Sequence, residues 1–261
     1  MLDAKWGGAW LIGCALGLCA GCADVSGSSP SDVARFAAVV DRAWSRTADH
    51  LIHARFVHSA TQLLDGQLLL VGGALDSGGR GAATCGPARA ENLWLGSSPS
   101  SSAELFNPVT GVFEEVGALA QARWGHTATL LRDGRVLIAG GIDERDQALA
   151  SAELYDPVTK SFVAAEAMNQ ARALQTATLL ADDRVLLLGG IKDIRPFYCA
   201  TTDFSFAFVQ NVVVVQAEAY QSEVERFINL GTVPRASFPH AAVLLDDGRV
   251  ASAWTQAPTP E

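Results

Sequence analysis

Four arginines, Arg55, Arg123, Arg172 and Arg235, stand at corresponding places in four similar stretches of the chain. The first three are each followed at a distance by a glutamate, Glu104, Glu153 or Glu218. A guanidinium offers a rigid fork of donors that suits carboxylates, so two chemistries are open to this set. Arginines that converge would bind a carboxylate or an acidic peptide. Arginines that each meet the glutamate of their own stretch would hold that stretch together instead. Just beyond the arginines lie His58, His126 and His240, with Gln175 in the remaining stretch. Imidazole is a common metal ligand, yet the glutamine breaks the set, and the sequence predicts neither a metal site nor a cofactor.

The stretches that carry these residues are copies of one unit. "RFVHSATQLLDGQLLLVGG" from Arg55, "RWGHTATLLRDGRVLIAGG" from Arg123 and "RALQTATLLADDRVLLLGG" from Arg172 are followed by a degraded fourth copy from Arg235. A second block, "SAELFNPVTGVF" from Ser102, "SAELYDPVTKSF" from Ser151 and "QAEAYQSEVERF" from Gln216, follows each of the first three. The intervals Glu104 to His126, Glu153 to Gln175 and Glu218 to His240 are all 22 residues. From His58, His126 and Gln175 to the glutamate of the same unit the distances are 46, 27 and 43 residues. All variation in length therefore falls in the connection after the glycine pair.

Two short apolar runs flanking Asp133-Gly134 predict an antiparallel hairpin, strands A and B, because glycine accepts positive φ at the turn. The run ending at Tyr155 predicts strand C, Asp156-Pro157-Val158-Thr159 a turn, and the segment around Phe162 strand D. Four short strands in about 49 residues, with Gly72-Gly73, Gly140-Gly141 and Gly189-Gly190 closing strand B, resemble the kelch repeat. Phe106, Tyr155 and Tyr220 mark strand C, and Phe113, Phe162 and Phe227 stand where that family usually has Trp. The resemblance covers Arg55 to Val250 and implies an all-β, kelch-like β-propeller of about 3.5 to 4 four-stranded blades. The expected boundaries are 55–122, 123–171 and 172–234 for three blades and 235–261 for a partial fourth blade and tail.

The segment before the repeat differs in composition. Lys5 and an apolar stretch from Trp6 to Gly21 lead to Cys22, which predicts a signal peptide over 1–22 and a linker over 23–31. Ala20-Gly21-Cys22 resembles the lipobox of bacterial lipoproteins and implies lipidation at Cys22, although Cys19 stands where Leu is usual. Residues 32–54 read as a short helix, as a closing strand, or as both. The ring would then be closed by this N-terminal segment, completed by another chain, or incomplete. Cys85 and Cys199 would remain to pair in an oxidising compartment or to stay as free thiols.

An exported binding module follows from this organisation. The formal net charge of -9, with no basic stripe, argues against nucleic acid as partner. No nucleophile elbow, zinc-protease helix motif or phosphate-cradling loop is present, so no catalytic residue is assigned. The kelch resemblance extends to galactose oxidase, which would imply a copper-radical enzyme, but no tyrosine or histidine here matches a ligand motif. The B–C and D–A connections share one face and include both insertions, 74–101 and 191–215. Trp94 in the first, and Phe204, Phe206 and Phe208 on a predicted hairpin in the second, are candidate contacts alongside the four arginines. The expected partner is a protein or glycan, with membrane attachment through Cys22 if it is lipidated. Oligomerisation, with this chain as a structural subunit of a larger propeller, is the further alternative.

Overall fold

A computed structural model describes residues 51–76, 97–192, 213–233 and 239–254. Every regular element among them is a β-strand. Strands β1 (Arg55–Phe56), β2 (Ser59–Gln62), β3 (Leu68–Val71), β4 (Ala74–Asp76), β5 (Ser97–Pro99), β6 (Ala103–Asn107) and β7 (Val112–Val116) build the first repeat. Strands β8 (Thr127–Leu130), β9 (Val136–Ala139), β10 (Ala152–Asp156) and β11 (Ser161–Ala165) build the second. The third has β12 (Thr176–Leu179), β13 (Arg184–Leu188), β14 (Gln216–Gln221) and β15 (Arg226–Thr232), and β16 (Pro239–Leu244) and β17 (Val250–Trp254) follow.

The pairing is that of propeller blades. β2-β3-β6-β7, β8-β9-β10-β11 and β12-β13-β14-β15 are antiparallel four-stranded meanders, and β16-β17 is a hairpin of the same A–B kind. The fold is an all-β, kelch-like β-propeller, as the repeat implies.

Alternation along the strands explains how blades stack. In β9, Val136 and Ile138 pack with Leu69, Val71 and Leu105 of blade one, whereas Leu137 and Ala139 pack with Val185, Leu187 and Tyr220 of blade three. Successive side chains of a strand point to opposite faces, so a strand apolar at every position must be covered on both sides. Here the neighbouring blades are the cover. Each buried aliphatic side chain contributes about 2 kcal/mol, so the blade-to-blade faces carry most of the apolar stabilisation.

Turn chemistry fixes the register. In all four A–B hairpins a backbone N–H reaches across a turn: Leu63 to the Gln67 carbonyl, Leu131 to Arg135, Leu180 to Arg184 and Leu245 to Arg249, at 2.7–2.8 Å. The closing residue is left-handed, at φ 86° for Gly66, 91° for Gly134 and 81° for Gly248, and Asp183 adopts 65° where glycine is missing. Aspartate tolerates that region better than most side chains, which keeps the third hairpin intact.

One element was not legible in the sequence. β1, β4 and β5 form a small antiparallel sheet of their own at the root of the first insertion. Isolated bridges Trp124–Ile142, Ile142–Ala148, Ala173–Ile191 and Ile191–Val213 repeat it in the next two blades. The residue after each of Arg55, Arg123 and Arg172 thus pairs with the residue after the glycine doublet of its blade.

Candidate functional site

The three described arginines are turned into their own blades. Arg55, Arg123 and Arg172 lie 2.5, 2.8 and 2.5 Å from Glu104, Glu153 and Glu218, with fully buried guanidinium groups. Nη1 of each donates to the first glycine's carbonyl and to the carbonyl that opens strand C: Gly72 and Ser102, Gly140 and Ser151, Gly189 and Gln216. Nε of Arg55 and of Arg123 donates to the carbonyl two residues earlier, at 3.3 Å. With their terminal nitrogens bonded inside the blade, and only Nε of Arg172 left without a partner among the described residues, these groups turn inward and do not converge on a ligand. Of the two chemistries open to them, the geometry supports the internal pair. Arg235 lies outside the described residues.

The glutamates do more than neutralise charge. Glu104 accepts the backbone N–H of Ile52 and His53, Glu153 that of Ala120, and Glu218 those of Asn169 and Gln170. Each carboxylate therefore clamps the D–A connection that delivers its arginine. Burial pulls the Arg123 and Arg172 pKa values down, and the paired carboxylates oppose that shift.

Glycine doublets sit where blades meet. The second glycine's N–H donates to the next blade's arginine carbonyl, Gly73 to Arg123 at 2.9 Å and Gly141 to Arg172 at 3.0 Å. The first glycine has φ of 59°, 68° or 64° at Gly72, Gly140 and Gly189. A methyl on Gly72 would fall 2.6 Å from the Arg123 carbonyl oxygen.

Of the three predicted histidines, His58 lies near His126, and the side chain of His240 lies outside the described residues. His126 Nε2 lies 2.8 Å from Ser59 Oγ of the preceding blade, and Gln175 Nε2 donates back in the same sense to the Ala139 carbonyl at 2.8 Å. The repeated position is thus a blade-to-blade staple, and glutamine serves it as well as histidine. Among the described residues no group of His, Cys, Asp or Glu is arranged to hold a metal. Tyr155 and Tyr220 pack on Phe162 and Phe227, ring centroids 5.0 Å apart in both pairs, and burial raises each phenol to about 12. They occupy repeat positions that Phe106 fills in blade one.

The two faces of the blades differ. On the A–B and C–D side, Arg135 bridges to Glu225 of the next blade at 2.6 Å, Lys160 to Glu114 at 2.6 Å and Arg132 to Asp183 at 3.6 Å. Short turns laced by ion pairs leave little to grip a ligand. On the opposite side, the first insertion departs after β4 and returns at β5, and the second departs after Ile191 and returns at Val213. Both are anchored at the root by backbone pairing. The third residue of each arginine block is left-handed here, with φ 53° at Val57, 64° at Gly125 and 55° at Leu174. For branched or bulky side chains that is a strained conformation. Trp124 and Leu174 pack on Ile142, Ala173 and Ile191 on this side. Sequence reasoning missed this apolar collar, because the second and third residues of the arginine block differ among the first three copies.

Trp94, Phe204, Phe206 and Phe208 lie outside the described residues, as do Cys22, Cys85 and Cys199 and all but 51–54 of the segment 32–54 expected as a short helix or closing strand.

A family model described as "Kelch motif" matches residues 123–169. No curated protein matches this sequence. Among solved structures, one titled "Structure of YjhT" is similar, with a TM-score of 0.57 and 13% sequence identity. The likeness covers 78% of this chain and 60% of that one. At this identity it shows a shared fold. The chain spans less than two thirds of the length of that protein.

Proposed function

We propose that this kelch-type propeller is an exported, non-catalytic binding module that recognises a protein or glycan through the face bearing its B–C and D–A connections. One observation carries the reading. Both long insertions leave and re-enter the blades on that face from paired roots, while the opposite face is closed by short turns and inter-blade ion pairs. Loops on a rigid scaffold can vary without cost to the fold, which is where recognition usually resides. Charge supports the choice of partner, since the chain is acidic overall and the three repeated arginines that are described are spent on buried pairs with glutamates, not on a basic stripe for phosphates.

The test replaces residues 77–96 and 193–212, singly and together, by short Gly-Ser links in the full chain. Each form is then screened on a glycan array and against a panel of extracellular proteins. Ligands bound by the parent chain should be lost or weakened at least tenfold by one of the replacements, and retained when Lys160 or Arg132 on the other face is changed to alanine. Binding that survives both replacements and fails with the turn-face changes would place recognition on the wrong face for this proposal. Export and anchoring are tested separately, by cell fractionation of the parent and of Cys22→Ala. Release from the membrane fraction in the variant supports lipidation, and a cytoplasmic parent excludes export.

A further inference from the structure

The joints between consecutive blades share the bond from the glycine doublet to the next arginine's carbonyl, but they differ in the side chain at the repeated His or Gln position. Between blades two and three, the side-chain amide of Gln175 reaches back to the Ala139 carbonyl and, at 3.4 Å, to Thr127 Oγ1. Between blades one and two, His126 holds the equivalent place, with Nε2 on Ser59 Oγ. The ring sits under Gly72, where a methyl would come 2.8 Å from Cε1, and its Nδ1 is buried with no partner among the described residues. An amide cannot take up a proton near neutral pH, and an imidazole can.

Protonation would be poorly received at this joint. Whichever nitrogen carries hydrogen in the neutral ring, the cation carries one on both, and Nδ1 has no acceptor. The charged and titratable groups facing the ring are Arg123 of its own blade, which opposes a positive charge there, and His58 of blade one, which does so once it is itself protonated. The Val71 carbonyl is a smaller influence in the other direction. The carboxylates of these blades, Glu153 and Glu104, are already engaged by Arg123 and Arg55. His58 faces Arg55 and Glu104, and burial and Arg55 push its own pKa down. We propose that the joint between blades one and two is an acid-labile hinge: uptake of a proton at His126 separates these blades, while blades two and three, joined through Gln175, stay packed.

The direction follows from linkage. Burial first, then Arg123 and His58, outweigh the Val71 carbonyl and lower His126 from 6.5 to about 3 in the closed joint, whereas an opened joint returns it to water. The closed state is at full strength above the solvent value and weakens as pH falls from about 6.5 towards 3. Opening should rise by up to about tenfold per pH unit in the middle of that window.

Hydrogen exchange of the full chain, followed by mass spectrometry from pH 7.5 to 4.5 and corrected for intrinsic rates, tests this. Peptides spanning β2, β3, β8 and β9 should lose protection on acidification before those spanning β12 to β14. His126→Gln should remove that selective loss, and Gln175→His should create it at the joint between blades two and three. Thermal unfolding at pH 7.5 verifies that both variants are folded. Uniform loosening of all blades, an unchanged acid response in His126→Gln, or a silent Gln175→His overturns the proposal.

Discussion

The carboxylate of Glu218 lies 2.5 Å from the guanidinium of Arg172 and at the same time accepts the backbone N–H of Asn169 at 2.7 Å. One side chain therefore fixes both the arginine and the connection that brings it into the blade. Glu153 does the same for Arg123 and Ala120, and Glu104 for Arg55 and Ile52. A connection tied at both ends has no slack, which is why the interval from each glutamate to the next blade's His or Gln does not vary.

Changing Glu153 to Gln should be strongly destabilising, by about 3–5 kcal/mol, because it strands a buried guanidinium and weakens the clamp on Ala120. Replacing both Arg123 and Glu153 by Met should cost less than the sum of Arg123→Met and Glu153→Met. Urea denaturation of the four proteins in a double-mutant cycle measures the difference.

Arg135 offers the contrast. Its contacts to Asp133 and Glu225 are on the turn face, with 27% of the side chain exposed. Arg135→Ala should change stability by less than about 1 kcal/mol and leave ligand binding unaltered. A larger loss of the denaturation midpoint would mean that the turn face is structurally coupled to the blade joints.

Two glycines with positive φ should respond differently to alanine. Gly66 has open space where a methyl would go, so Gly66→Ala should cost about 1 kcal/mol of backbone strain alone. Gly72→Ala adds a clash with the Arg123 carbonyl and the His126 ring, and should cost at least twice as much. Thermal unfolding of the pair gives the comparison directly.

Tyr155 and Tyr220 should make the fold sensitive to alkali. Their hydroxyls are buried without partners among the described residues, and each phenol is raised to about 12. The neutral form is favoured in the fold, so stability is intact below pH 10 and falls as pH rises from 10 towards 12, by about 1 kcal/mol per tyrosine at pH 11. The Tyr155→Phe, Tyr220→Phe double variant should be at least as stable at pH 8 and should unfold less readily at pH 11, as followed by circular dichroism.

Much of the architecture was legible because blades are periodic. Asp-Gly turns, glycine doublets and the aromatic on strand C named the meander strand by strand, and the constant interval marked the D–A connection as inextensible. What escaped was whatever a single copy does not repeat. The left-handed residue after Phe56, Trp124 and Ala173 is Val57, Gly125 or Leu174, three side chains with no common propensity. Tertiary pairing with the residue after the glycine doublet imposes that conformation. The candidate site was less legible for a related reason. A repeated charged residue can serve the repeat or a ligand with the same letters, and only the depth of Arg55, Arg123 and Arg172 separates the two.

The alternating burial of β9 has a consequence for how such a chain comes apart. Since Val136 and Ile138 belong to one joint and Leu137 and Ala139 to the next, no blade possesses a core of its own. Stability is then a sum over nearest neighbours, as in a one-dimensional lattice, and an interior unit is held twice where a terminal one is held once. Melting should advance inward from whichever end lacks a neighbour. A unit removed from the middle would be tolerated better than half a unit, because the deletion brings together two faces that already fit.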